Sequence, residues 1–270
     1  MEVSRLKILN REQLKFIAII AMTMDHIAAC FFTRGTALWF IFRTIGRITF
    51  PLMAYMLAEG FIHTRNLKKY VIRMFLFSVI SWFSFSFLET GSFIPVRLMA
   101  GNYTDYPFSR LYIQSLDITL CICWFSVITG LLCSLLALTV WEKTKWKLPF
   151  KILATCGLVL ITLNCDWCWL NIPTVMCFYY FRNNRPARWI GYTVLTLGHA
   201  FNILLTLNIF EPQLYGGFKV PALGMLIALI LIEFFFNGKK GNGKALGKWF
   251  FYIYYPAHQV VLGILLLLMA

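Results

Sequence analysis

Charged residues are scarce in this chain of 270 residues. Asp, Glu, Lys and Arg make up 13% of it, 60% of the residues are hydrophobic, and the mean hydropathy is +0.71. Soluble domains carry roughly 25% charged residues, so the composition excludes an ordinary soluble domain. The alternating segments of about ten residues that mark a transmembrane barrel are also missing. Apolar runs of about 20 residues recur instead and match a bilayer core of roughly 30 Å. The sequence predicts an all-α polytopic membrane bundle that forms one domain, residues 1–270.

We place about nine membrane spans along the chain. They cover residues 14–33, 37–62, 67–88, 112–141, 149–164, 167–181, 188–210, 220–236 and 247–268. The second span contains Gly46 and Pro51, which in membrane helices often mark a broken helix beside a cavity. The last span has a similar irregularity at Pro256. No cleavage site of small residues precedes the second span, so we expect an uncleaved first helix.

Acidic residues number 11 against 25 basic ones, which gives a net charge of +14. This excess does not indicate nucleic-acid binding, because most of the cations fall on one side of the predicted spans. That side holds Arg5, Lys7, Arg11, Lys15, Arg65, Lys68, Lys69, Arg73, Lys143, Lys145, Lys147, Lys151, Arg182, Arg185, Arg188, Lys239, Lys240, Lys244 and Lys248. The positive-inside rule therefore predicts a cytoplasmic N-terminus and an external C-terminus.

Clusters of metal ligands are missing from the sequence, so no metal is expected. The eight cysteines are scattered, mostly within apolar runs, where Cys acts as a small apolar residue. Cys165 and Cys168 form a C-x-x-C pair at the predicted outer surface. The pair is compatible with a redox role or a short disulfide, but no βαβ pattern surrounds it and no second Cys or His pair supports a metal site.

Ionisable residues inside the spans are the main functional signal, because each costs about 2.5–3.5 kcal/mol on insertion scales. They are Asp25, His26, Arg43, Arg47, Glu59, Asp117, His199, Glu233 and His258. Asp25 with Arg43 or Arg47 is a natural structural pair. Glu59 and Glu233 lie near the predicted cytoplasmic ends, where solvent could reach them.

His26 lies about 16 Å along the helix from Lys15, near the middle of the predicted bilayer. His258 enters at a comparable depth, ten residues after Lys248, and His199 is also near mid-span. Imidazole is the side chain best suited to move a proton near neutral pH, although a lone buried His often has only a packing role. Two histidines at matching depth, with two arginines nearby, predict a polar cavity.

A set of motifs in this order resembles the TraX family of bacterial membrane proteins. The motifs are Lys15-Phe-Ile-Ala-x-x-x-Met-x-x-Asp-His26, Arg47-Ile-Thr-Phe-Pro51, Ala58-Glu-Gly-Phe61, Thr64, Tyr70, Arg73, Ser81, Asp166-Trp167 and Phe251-Tyr-Ile-Tyr-Tyr-Pro-Ala-His258. That family is named for a conjugation protein that N-acetylates pilin subunits, and it is similar to a wider group of transmembrane acyltransferases.

The resemblance implies a bacterial cytoplasmic-membrane enzyme that transfers an acetyl group from cytosolic acetyl-CoA to an amine or hydroxyl acceptor. It implies catalytic roles for His26 as general base, with Asp25, His258 and Tyr255 as further candidates. It implies oxyanion or acceptor contacts from Arg43, Arg47, Glu59 and Asp166, and CoA contacts from Thr64, Lys68, Lys69 and Arg73. A pilin or peptide N-terminus and a cell-envelope glycan both fit as acceptor.

Two other functions remain open from the sequence. A transporter or flippase could use the broken second span as a substrate path, although such proteins usually have repeated halves and none is found here. A non-catalytic component of a membrane assembly also fits the composition.

Overall fold

The structure, a computed structural model, describes residues 7–100, 109–115, 118–210, 221–241 and 250–269. Most of these residues are helical. The helices are α1 Arg11–Phe31, α2 Ala37–Gly46, α3 Thr49–His63, α4 Leu67–Thr90, α5 Val127–Lys143, α6 Leu148–Leu163, α7 Asn171–Tyr180, α8 Arg185–Phe210, α9 Gly224–Ile230 and α10 Phe250–Met269. Short 3-10 turns occupy Cys168–Leu170 and Pro221–Leu223, and a π-helical turn, Leu231–Phe235, continues α9.

Four helical segments within the described residues are long and apolar enough to cross a membrane. They are Arg11–Phe31, Ala37–His63, Leu67–Thr90 and Phe250–Met269. The α6 helix and the segment Gly224–Phe235 are apolar but shorter. The helical character that the composition predicts is therefore confirmed, and these four segments coincide with the first, second, third and ninth predicted spans.

The fourth predicted span, residues 112–141, is wrong at its start. The structure has a small antiparallel sheet there, with strands β1 Val96–Ala100, β2 Ser109–Ser115 and β3 Ile118–Cys123 in the order β1-β3-β2. The helix α5 begins only at Val127. The run Ile118–Cys123 is half β-branched and is apolar apart from Thr119, so hydropathy alone could not distinguish it from a helical segment.

Local sequence explains where the first membrane-length helix begins. Asn10 caps α1, because its side-chain oxygen accepts hydrogen bonds from the amides of Glu12 and Gln13, each at 3.0 Å. In turn, the side-chain oxygen of Gln13 accepts a hydrogen bond from the backbone amide of Asn10 at 2.8 Å. This capping box satisfies amide groups that a helix start otherwise leaves unpaired.

The second predicted span is broken, as its sequence predicts. The helix α2 ends at Gly46, Arg47 and Ile48 form a turn, and α3 begins at Thr49. Pro51 lies in the first turn of α3, where its missing amide N–H leaves no helical bond unmade. By contrast, α10 continues through Pro256 without interruption.

The chain divides into two compact units. The first unit contains Met1–Ile62 and Pro173–Phe251, and the second contains His63–Ile172 and Tyr252–Ala270. Each has its own buried centre. In the first, Phe50, Leu52, Phe178 and Tyr192 are almost fully buried, and in the second Leu135, Leu138 and Leu170 are.

Candidate functional site

Asp25 and Arg43 form an ion pair in the first unit, between α1 and α2. The Arg43 Nη1 atom donates to Asp25 Oδ2 at 2.8 Å, and both side chains are about four-fifths buried. Of the two pairings that the sequence left open, the structure therefore shows the one between Asp25 and Arg43. The pair leaves Asp25 Oδ1 and Arg43 Nε buried without a hydrogen-bond partner. A hydrogen-bond acceptor and a donor thus remain available beside the pair.

Gly46 allows α2 to approach Asp25 closely enough for this pair to form. A Cβ atom at Gly46 would lie 2.2 Å from Asp25 Oδ1 and 2.3 Å from Asp25 Cβ. Such separations are far below van der Waals contact, so any side chain at this position would push the two helices apart. Thr49 adds a second link, since its hydroxyl donates to the Ala18 carbonyl of α1 at 3.1 Å.

We expect Gly46→Ala to destabilise the protein by about 1–3 kcal/mol through overpacking. The measurement is the thermal unfolding midpoint of the purified protein in detergent. Gly157→Ala is the matched control, because Gly157 is also helical but has no atom within 4 Å of the added carbon. The control should be neutral or stabilising, since Ala favours helix over Gly by about 1 kcal/mol. Equal midpoints for the two variants would contradict the close approach of α1 and α2.

His26 follows Asp25 on α1 and is half-buried. Arg47 lies in the turn between α2 and α3, and its guanidinium is close enough to His199 of α8 for the two groups to interact electrostatically. The start of α9 also packs here, because a Cβ atom at Gly224 would lie 1.9 Å from the Thr44 carbonyl oxygen. The first unit therefore surrounds the α2–α3 break with polar side chains from α1, α2 and α8.

Glu59 belongs to a separate ion pair of the first unit. Arg11 Nη2 donates to Glu59 Oε2 at 3.1 Å, and the two side chains are each 21% exposed. This contact links α1 to α3. It gives Glu59 a structural partner, so the substrate-contact role that the resemblance implies for Glu59 stays a prediction.

Glu233 is not solvated, which corrects the expectation drawn from its position near a span end. Its side chain is 2% exposed and lies in the π-helical turn. Arg185 Nε donates to Glu233 Oε2 at 2.8 Å, and Arg188 Nε donates to Glu233 Oε1. Arg188 also donates to the carbonyls of Phe181 and Arg182. Arg185 and Arg188, which the positive-inside prediction counted among the cytoplasmic cations, therefore neutralise a buried acid.

Tyr255 and His258 are buried side chains of the second unit, both on α10. The His258 Nδ1 atom lies 3.0 Å from the Tyr254 carbonyl oxygen. A carbonyl can only accept, so a neutral His258 carries its proton on Nδ1 and presents Nε2 as the basic nitrogen. The ring of His258 stacks on Tyr254 and meets the edge of Tyr255, with centroid separations of 5.4 and 5.6 Å.

Asp166 occupies a strained turn in the second unit. The two residues that follow it, Trp167 and Cys168, have φ angles of 66° and 40°, a region that non-glycine residues seldom adopt. The fully buried Asn171 holds the turn, since its amide donates to the carbonyls of Asp166 and Cys168, each at 2.9 Å. Strain of this kind persists where the surroundings enforce it and is common at ligand sites. Asp166 also lies within electrostatic range of Tyr255.

The candidate CoA contacts lie at the start of α4. Lys68 and Lys69 are exposed, and Thr64 is partly buried. Arg73 is instead engaged within the protein, because its Nε atom donates to the Tyr252 hydroxyl at 3.1 Å and its guanidinium lies over the Tyr70 and Tyr252 rings. Lys68 and Lys69 are therefore exposed enough for an anion to bind them from solvent.

Cys165 and Cys168 do not form a disulfide. Cys165 is 1% exposed, and burial raises the pKa of its thiol well above the usual range. A thiol of this kind supplies little thiolate, which argues against a redox role. Within the described ranges, no three His, Cys, Asp or Glu side chains are grouped so that they could hold a metal ion.

The sequence interpretation missed a set of buried polar side chains in the second unit. Ser84, Ser126 and Gln259 are each at most 3% exposed. A polar residue in a membrane helix faces the protein interior as a rule, so Gln259 in the apolar run of α10 was the available signal. Small hydroxyl residues carry a weaker signal, because they also occur where helices merely pack closely.

Long apolar helices with ion pairs buried among them are typical of helical membrane proteins, and that is the class which this fold and these sites define. The chain belongs to the family described as TraX protein, whose profile matches residues 10–102 and 110–266. This confirms the family that the sequence motifs indicate. The chain is 31% identical over 254 residues to the probable fimbrial assembly protein FimC, serogroup H1, of Dichelobacter nodosus, and the match covers 93% of each chain. No solved structure gives a significant match.

Proposed function

We propose that this protein is a membrane-embedded acyltransferase that moves an acetyl group from cytosolic acetyl-CoA to an amine or hydroxyl acceptor. The observation that carries the proposal is the buried Asp25–Arg43 pair beside His26. It brings an acid and a cation together in apolar helices, next in the chain to His26, and leaves one acceptor atom and one donor atom of the pair without partners. Family membership supports the same reading, since the family is named for a pilin-acetylating protein.

The chemistry needs little from the protein, because a thioester is already activated. His26 takes the proton from the attacking amine or hydroxyl as that nucleophile adds to the thioester carbonyl. Arg43 and Arg47 stabilise the negative charge that develops on the carbonyl oxygen. The carbon–sulfur bond then breaks, and His26 returns the proton to the leaving CoA thiolate. Asp25 positions Arg43, and Lys68 and Lys69 are suited to the CoA phosphates.

The cell location follows from the same proposal. We place the protein in the bacterial cytoplasmic membrane with about nine spans, its N-terminus in the cytoplasm and its C-terminus outside. The name of the Dichelobacter nodosus relative supports an acceptor in fimbrial or pilus assembly, such as a pilin N-terminus. A cell-envelope glycan is the other acceptor class that the chemistry allows.

A non-catalytic role in fimbrial assembly is the second candidate, and the printed name of the relative favours it. The test is the transfer of label from carbon-14 acetyl-CoA in inverted membrane vesicles of a bacterium that produces the protein. Label above that of vesicles lacking the protein, in the protein or glycan fraction, supports acyl transfer. Equal label in both preparations would favour the assembly role.

We expect Arg47→Ala to reduce this transfer more than Lys69→Ala does. Arg47 is half-buried in the α2–α3 turn, whereas Lys69 is exposed, so water and neighbouring lysines can replace the charge of Lys69 but not that of Arg47. The measurement is the initial rate of label transfer at matched protein amounts. Equal losses for the two variants would show that Arg47 has no special role in turnover.

A further inference from the structure

Three arginines lie together at the start of α8 in the first unit. Arg185 is the first residue of α8, Arg188 follows about one turn later, and Arg182 lies in the turn that precedes the helix. Arg188 fixes this turn, because its Nη1 atom donates to the carbonyls of Phe181 and Arg182 at 3.3 and 2.7 Å. Arg182 and Arg185 are therefore held at the same end of α8. We refer to Arg182, Arg185, Arg188 and Glu233 as the α8 arginine cluster.

The cluster carries more positive charge than is needed to neutralise its acid. Glu233 is its single carboxylate, and two of the three arginines donate to it. Three positive charges and one negative charge leave a net charge of +2. Glu233 is also the one acidic residue of the sequence between residues 212 and 270, and Glu59 of α3 has its own cation in Arg11. The remaining charge of the cluster therefore favours an anion.

Arg182 and Arg185 are held in place by the protein and are still open to solvent. The Arg185 side chain is 49% exposed, although it donates to both the carboxylate and the carbonyl of Glu233 and its guanidinium lies 5.8 Å from the centre of the Phe234 ring. Arg182 is exposed as well, donates to the Tyr179 carbonyl at 3.0 Å, and lies 4.8 Å from the centre of the Tyr179 ring. A free surface arginine loses side-chain entropy when it binds a ligand, whereas these two are already ordered.

Both exposed guanidinium groups keep hydrogen-bond donors for a ligand. The described hydrogen bonds of Arg185 use Nε and Nη2 and leave Nη1, and that of Arg182 uses Nη1 and leaves Nε and Nη2. The end of α8 itself adds nothing to this set, because Asn184 already caps it by accepting from the Ala187 amide at 3.1 Å. A guanidinium can only donate, so the ligand must supply acceptor oxygens.

A phosphate group matches this arrangement. Its oxygens point in several directions, so two guanidinium groups can donate to different oxygens of the same phosphate. A carboxylate has two oxygens in one plane, and a single arginine satisfies both of them, as a bidentate pair does. The excess charge and the two separate sets of donors therefore favour a phosphate.

We propose that the α8 arginine cluster binds a phosphate group, supplied either by an anionic phospholipid or by the CoA part of an acyl-CoA. Arg182 and Arg185 contact the phosphate, and Arg188 and Glu233 hold them in position. The CoA source rests on the proposed function, whereas the lipid source is independent of it. The proposal gives a ligand to arginines that the positive-inside prediction counted only as cytoplasmic cations.

The test is native mass spectrometry of the full-length protein in a neutral detergent, titrated with two probes. In one arm the probe is CoA, and its reference is pantetheine, which lacks the phosphates. In the other arm the probe is phosphatidylglycerol, and its reference is a diacylglycerol with the same acyl chains. We expect one of the probes to bind in a saturable manner and more tightly than its phosphate-free reference, and the arm identifies the source of the phosphate.

The double variant Arg182→Gln with Arg185→Gln should weaken binding of that probe about tenfold, the loss expected when a charge-assisted hydrogen bond is removed. Lys145→Gln with Lys147→Gln is the matched control, since it removes the same charge from two exposed lysines between α5 and α6. The control should bind the probe within about twofold of the natural protein. If the arginine double variant does not fold, Arg182→Gln alone should weaken binding about threefold, which is half of the same free-energy change.

Three outcomes would overturn the proposal. Neither probe may bind more tightly than its reference, the arginine and lysine variants may lose binding equally, or a polyglutamate peptide may compete as strongly as the probe, which would assign the cluster to an acidic protein segment. The result is separable from the enzyme assignment. Binding of CoA that the arginine variant weakens, in a protein that transfers no label, supports the phosphate site and counts against acyl transfer. Label transfer by the arginine variant at unchanged KM for acetyl-CoA, with unchanged binding of both probes, has the opposite meaning.

Discussion

Replacing His26 with alanine is expected to reduce acetyl transfer about 10²–10⁴-fold, the contribution typical of a positioned general base. The physical reason is that no other proton acceptor adjoins His26 along α1 except Asp25, whose carboxylate is held by Arg43 at 2.8 Å. The measurement is the rate of label transfer from carbon-14 acetyl-CoA in inverted vesicles. The variant should insert and fold normally, because His26 is only half-buried.

His63→Ala is the control for this experiment, since His63 ends α3 and is exposed. It should leave the transfer rate within about twofold of that of the natural protein, because exposed substitutions away from a site have small effects. Normal transfer by His26→Ala would remove His26 from the mechanism. Equal losses in both variants would point to general damage and not to catalysis.

Glu233→Gln is expected to lower the free energy of unfolding by about 3–5 kcal/mol, the usual cost of removing one partner of a buried ion pair. The substitution leaves the Arg188 guanidinium, whose side chain is 10% exposed, without a counter-charge in a buried position. The neutral amide also cannot accept from two guanidinium groups as the carboxylate does. Thermal or denaturant unfolding in detergent measures the effect.

The two arginines provide an internal comparison for this prediction. Arg185 is 49% exposed, so Arg185→Ala should cost less than about 1 kcal/mol, as exposed ion pairs generally do. Arg188→Ala should resemble Glu233→Gln, because Arg188 also holds the Phe181 and Arg182 carbonyls. Similar small losses for Glu233→Gln and Arg185→Ala would indicate that water reaches the π-helical turn.

Much of the helical arrangement follows from local sequence. The apolar runs predict α1, α4, α6 and α10 to within a few residues, one further run covers α2 and α3 together, and Gly46 marks the end of α2. The prediction of a helix before α5 was wrong because apolar β-branched residues suit a strand as well as a helix. The antiparallel pairing of Ile118–Cys123 with two other segments also depends on residues that are distant in the sequence. The length of a hydrophobic run does not show whether the run forms a paired strand or a helix.

The candidate site, like the fold, follows only in part from the sequence. The presence of Asp25, His26 and Arg43 in apolar segments is visible in the sequence, and the cost of burying them predicts that some must pair. The pairing of Asp25 with Arg43 depends on the close approach of α1 and α2 at Gly46. Gln259 was overlooked because one amide in an apolar helix gives no indication of what it faces.

The sequence by itself determined that this is an apolar helical chain of the TraX family with ionisable groups inside its helices, because composition, hydropathy and motif order are properties of the chain alone. The tertiary structure decided which of those groups neutralise one another, as Glu233 does with Arg185 and Arg188. It also decided that the start of α5 lies buried beside Tyr255 and Gln259. Both outcomes depend on how far helices approach and rotate against each other, and packing between distant segments sets those quantities.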